Sequence, residues 1–101
     1  MASLPLACNL SAVSNPARYR TLVKQLRAAI SSCAELPDGY SFVVCEDQLS
    51  LLELSEWISL ERQCCPFLNF GISVAGTETS YRVTVTGPSG VKAIIAAEFP
   101  V

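Results

Sequence analysis

Apolar and polar positions along the chain change period several times, and each change marks an element. Residues 4–10 alternate loosely and read as a short edge strand carrying Cys8, with Pro5 tolerated at the edge. Asn15-Pro16 then supplies a helix cap followed by proline at the first helical position. Tyr19, Leu22, Leu26, Ile30 and Cys33 recur at helical spacing, while Arg20, Lys24, Arg27 and Ser31 fall on other faces. The spacing predicts an amphipathic helix over 15–34, ended by the turn Leu36-Pro37-Asp38-Gly39.

The aromatic and β-branched run 40–45 predicts a strand. Glu46-Asp47 is expected to open a second helix, with negative charge near the positive end of its dipole. Its stripe reads Leu51, Leu54, Ile58, Glu61 and Cys65, with Trp57 and Cys64 on the flank, and Pro66 stops it. Residues 67–75 alternate cleanly, so Leu68, Phe70, Ile72 and Val74 should face the helices. A polar turn at 76–79 and a second alternating run at 80–86 complete a hairpin. Gly87-Pro88-Ser89-Gly90 precedes a short final helix over 91–99. The expected order is β-α-β-α-β-β-α, an α+β two-layer sandwich with helices on one face of a mostly antiparallel sheet.

Composition narrows the picture. A length of 101 residues, half of them hydrophobic and 16% charged, predicts one globular domain. Net charge is −2, and the modest basic group Arg18, Arg20, Lys24 and Arg27 reads as the wet face of a helix, so nucleic acid is not the expected partner. The low charge fraction leaves apolar surface that a homodimer would bury. No apolar run reaches the ~20 residues of a membrane span. The first ten residues lack the regions of a signal peptide, so a reducing cytoplasm is expected.

With no histidine, Ser-His and Cys-His catalysis and imidazole-bound zinc are excluded. Five cysteines, an odd number, fit free thiols better than a disulfide framework. Cys33 and Cys45 read as core. Cys64 and Cys65 stand side by side at a helix end, where they could chelate one soft ion or close into a strained, easily reduced vicinal disulfide. Glu61, Cys64 and Cys65 lie at i, i+3 and i+4, within mutual reach. A carboxylate at Glu61, in the apolar stripe, needs a partner, and Arg18 and Arg62 are the candidates. The helix C-terminus opposes thiolate formation, which disfavours a fast nucleophile, whereas a metal displaces the proton itself. A Cys8, Cys64, Cys65 trio would suit three-coordinate Hg(II) or As(III).

The segment Glu-Arg-x-Cys-Cys-Pro-Phe-x-x-Phe at 61–70 resembles that of a family of small bacterial proteins of uncharacterised function. Cys8 with Leu10, the turn 36–40, Thr86-Gly87-Pro88 and Gly90-Val91-Lys92 are similar to the family's flanking pieces. The resemblance implies no established activity. Three functions are therefore expected to compete. The first is binding of a soft metal or metalloid ion at Cys64, Cys65 and Cys8. The second is a thiol-disulfide or metalloid reductase using the Cys64-Cys65 pair, with Arg62 lowering a thiol pKa. The third is a dimerising or partner-binding domain in which Cys-Cys-Pro is a structural corner.

Overall fold

The computed structural model describes residues 8–99. Asn9 caps a short 3-10 turn, Leu10–Ala12, and the chain then enters helix α1, Pro16–Ala29. The Asn15 side chain accepts a hydrogen bond from the Arg18 amide, and Pro16 takes the first turn, where no donor is lost. Strand β1, Ile30–Leu36, follows without a break and turns back into β2, Gly39–Cys45. Helix α2 is Leu51–Cys64, β3 is Asn69–Val74, β4 is Ser80–Thr86 and α3 is Val91–Glu98. The fold is α+β: a four-stranded antiparallel sheet in the order β1-β2-β4-β3, with the helices packed on one face.

Three boundaries differ from the sequence pattern. Of the strand expected over 4–10, residues 4–7 lie outside the described residues; Cys8 and Asn9 are irregular and Leu10 opens the 3-10 turn. The segment 30–34, expected as the last turn of the first helix, belongs to β1. Ile30 and Cys33, three positions apart, fit a helical stripe; in the strand a bulge between Ile30 and Ser32 brings both to the face of Val44 and Phe42, and pairing with β2 decides between the two. Cys33 lies opposite Phe42, and without β1 one edge of the buried strand β2 would be left unpaired. Finally, α2 starts at Leu51 instead of Glu46. Ser50 and Glu53 form a reciprocal capping box, a stronger start signal than two acidic residues.

Register places Phe42 opposite Val83, Val44 opposite Tyr81 and Tyr40 opposite Val85, so all six share a face. The buried members pack under Leu22 and Leu26 of α1, Leu54 and Trp57 of α2, and Val91 and Ile95 of α3. Trp57 anchors this layer. Its ring meets Phe70 edge-on at 5.5 Å and Phe99 at 5.7 Å between centroids. Phe70, Ile72 and Val74 share the face of Val85, Val83 and Tyr81, as alternation predicts. Leu68 is buried ahead of the strand, but Ile72 and Val74 are 42% and 55% exposed, because the helical layer does not extend over the far end of this edge strand.

Candidate functional site at the end of helix α2

Pro66 disfavours helical backbone in the residue before it and cannot donate a hydrogen bond, so α2 closes at Cys64 with Cys65 as its cap. The Cys65 amide still donates to the Glu61 carbonyl at 2.7 Å, which holds both cysteines on the last turn. The segment before α1 is laced onto this end. The Asn9 amide donates to the Cys64 carbonyl at 2.9 Å, and the Ser14 amide to Gln63 Oε1 at 2.8 Å. That lacing brings Cys8, 57 positions away in sequence, against Cys65, and the two form a disulfide.

The pairing corrects two expectations, that all five thiols are free and that a disulfide here would join the vicinal pair. Successive residues on a helix point about 100° apart, which turns Cys64 away from Cys65 while Cys8 arrives from outside. Cys64 is free and buried; Cys33 and Cys45 are free and half-buried elsewhere, and Cys33 packs against the core. The Sγ atoms of Cys8, Cys64 and Cys65 and a carboxylate oxygen of Glu61 all lie within 4.8 Å of one another. Glu61, Cys64 and Cys65 are buried, and Cys8 is the half-exposed member.

Glu61 is fully buried, yet neither expected arginine reaches it. Arg18 makes a bidentate ion pair with Glu56, both hydrogen bonds at 2.9 Å, and Arg62 is exposed on the rim. The partner is Tyr19, whose hydroxyl donates to Glu61 Oε2 at 2.7 Å. The other carboxylate oxygen, Oε1, lies 3.2 Å from Cys65 Sγ. In the disulfide that sulfur has no proton and the approach is a contact; in the dithiol it becomes a hydrogen bond.

Burial pushes the Glu61 carboxyl up to about 7, with the neighbouring Glu98 adding to the rise and the Tyr19 hydrogen bond opposing it. Trp57 Nε1 also holds the value down, although it makes no hydrogen bond of regular geometry. Glu98 is raised by its own burial, against the pull of Arg27. Tyr19 is raised by burial and by its bond to Glu61. The Cys64 thiol is raised by burial and then by Glu61 and Glu98; Arg62 is not among the groups that act on it. A thiolate activated by Arg62 therefore finds no support in this geometry, and the helix-end argument against a fast nucleophile holds for Cys64.

Tyr19 and Glu98 are the site residues that the sequence pattern leaves out. Tyr19 carried a usable signal, a hydroxyl inside an apolar stripe that must find a buried partner. Glu98 carried none, since its approach to Glu61 depends on how α3 docks. Among the described residues, no helix is long and apolar enough to cross a membrane. Compared with protein-family models, curated proteins and solved structures, the chain has no match in any of the three. The family resemblance of the segment at 61–70 therefore rests on its motif.

Proposed function

We propose that the chain, with its disulfide reduced, binds one thiophilic ion such as Hg(II) or As(III) through Cys8, Cys64 and Cys65 in a reducing cytoplasm. The observation that carries this reading is the convergence of three sulfurs and one carboxylate within 4.8 Å. Soft ions select thiolates over harder donors, and a three-sulfur set suits ions content with three ligands. The raised pKa of the Cys64 thiol does not prevent binding, because the ion displaces the proton. Burial of Glu61, Cys64 and Cys65 limits competition from water, and half-exposed Cys8 leaves a way in. Glu61 stands beside the sulfurs as a fourth donor or as a proton acceptor when the thiols ionise.

The test is a titration of the reduced chain with Hg(II) and As(III), read by sulfur-to-metal charge-transfer absorbance against a competing thiol. The expected result is one ion per chain, with affinity falling steeply when Cys64→Ser and Cys65→Ser are combined. Equal affinity in that double variant would sink the proposal.

The Cys8–Cys65 disulfide favours a second reading, thiol-disulfide exchange with a dithiol reductant. A reductant thiolate would attack the half-exposed Cys8 Sγ, and the S–S bond would break with Cys65 leaving as thiolate beside Glu61. The reductant's second thiolate would then release Cys8, so the chain gains two electrons and the reductant becomes a disulfide. A reversible two-electron potential of roughly −200 to −300 mV, near the cytosolic poise, distinguishes this reading.

A further inference from the structure

Beside the sulfur cluster runs a groove of about 300 Å³ along α1. This size falls at the lower end of the roughly 300–1,000 Å³ of small-molecule sites. Leu10, Tyr19 and Val23 give it apolar walls, and Arg20, Lys24 and Arg27 give it charge. The three cations repeat at i, i+4 and i+7, which puts them on one helix face. Arg27 donates to the backbone carbonyl of Glu98, but among the described residues no carboxylate pairs with Arg20 or Lys24. A chain of net charge −2 thus concentrates unpaired positive charge over one apolar groove.

The position of the groove links it to the sulfurs. Leu10 lies two residues beyond Cys8, the one half-exposed member of the cluster. Tyr19 lines the groove and donates to Glu61, which in turn touches Cys65. A second cavity of about 340 Å³ lies beyond Arg27, but it is bounded by Glu98, whose carboxyl disfavours an anion there. An anionic ligand is therefore held toward Arg20 and Lys24.

We propose that this groove docks a carboxylate-bearing small-molecule thiol complex in which the soft ion reaches the chain, an inference that rests on the metal-binding reading. In solutions containing thiols, such ions travel as thiolate complexes and not as free cations. Carboxylates on the carrier meet Arg20 and Lys24, its carbon skeleton lies against Leu10 and Val23, and its sulfur end faces Cys8. Each carrier–metal sulfur bond is then exchanged for one to a protein sulfur. The proton displaced from the protein thiol goes to the departing carrier thiolate, and no electrons change hands.

The experiment follows Hg(II) transfer to the reduced full chain by stopped-flow absorbance, from mercaptosuccinate (anionic) and from 2-mercaptoethanol (neutral). Wild type is compared with the double variant Arg20→Gln/Lys24→Gln, whose exposed positions leave the core untouched. In wild type, transfer from mercaptosuccinate is expected to be about tenfold faster than in the variant, and the difference should vanish at high salt. Transfer from mercaptoethanol should be the same in both. Equal mercaptosuccinate rates, or equal slowing with both carriers, would overturn docking.

If reduced wild type takes no ion from either carrier, the metal-binding reading fails, and 2-(methylthio)succinate then tests the groove alone. Saturable shifts of the Tyr19 and Val23 resonances, which line the groove in both proteins, would support an anion site if they are absent in the variant. No shift would remove it.

Discussion

Tyr19 Oη donates a 2.7 Å hydrogen bond to Glu61 Oε2 across the buried contact between α1 and α2. It joins a helix near the start of the chain to the turn that carries Cys64 and Cys65. The same bond supplies a buried carboxyl with a donor, so the packing of the two helices and the chemistry of the sulfur cluster depend on one another.

Tyr19→Phe removes the donor and leaves the ring. The expected cost is about 1–3 kcal/mol, that of an orphaned buried acceptor, measured by urea unfolding. Because the hydroxyl favours the ionised carboxylate, the variant should also move the Glu61 titration upward. A variant as stable as wild type, with the same titration, would contradict the pairing.

Glu61 also sets a pH dependence. Its folded value, about 7, lies above the ordinary 4.5 of a glutamate in water, so the folded chain binds this proton more tightly than the unfolded chain does. Its contribution to stability is therefore complete below pH 4.5 and is lost as pH rises through 7. Wild type should lose up to about 3 kcal/mol across that window that Glu61→Gln does not lose, since the amide stays neutral. Glu98 shifts in the same direction and is coupled to Glu61, so the difference between the two proteins reports Glu61 together with its effect on Glu98. Parallel pH profiles would show that Glu61 does not titrate in this range.

Thiol counting tests the cross-link. The oxidised chain, once denatured, should titrate three thiols, those of Cys33, Cys45 and Cys64, and five after reduction. Cys8→Ser should leave four thiols under both conditions and lower oxidised-state stability by about 2–4 kcal/mol, because the bridge spans 57 positions. Five thiols in the oxidised chain would place the two sulfurs together without a bond.

Ser50→Ala serves as a control remote from the site. Losing one half of the capping box should cost about 1 kcal/mol and fray the start of α2. Soft-ion affinity in the reduced chain should be unchanged, because the sulfurs sit at the opposite end of that helix. A change in affinity would mean that the whole helix, and not its last turn, positions the cluster.

Gly39→Ala probes the sheet. An added Cβ would stand 2.0 Å from the Val85 carbonyl oxygen, backbone that cannot move without breaking the β2–β4 ladder. The expected loss is about 1–3 kcal/mol, read as a lower midpoint in urea. Stability equal to wild type would show that the two central strands tolerate a wider spacing at Gly39.

The features legible in the chain alone were local. Asn15-Pro16 starts α1, Pro66 stops α2, and the alternation from Phe70 to Val85 makes a hairpin, because caps, proline sterics and strand period act over a few residues. The spacing of Glu61, Cys64 and Cys65 likewise placed them on one turn. The tertiary structure decided what lies far apart in the chain. Pairing with β2 made 30–36 a strand, because the backbone of a buried central strand must be satisfied on both edges. Burial chose Tyr19 over Arg18 for Glu61: a neutral phenol can be desolvated cheaply, while Arg18 keeps its charge at the surface with Glu56. Cys8 joined Cys65 because the Asn9 amide meets the end of α2, a contact between distant segments that no local period encodes.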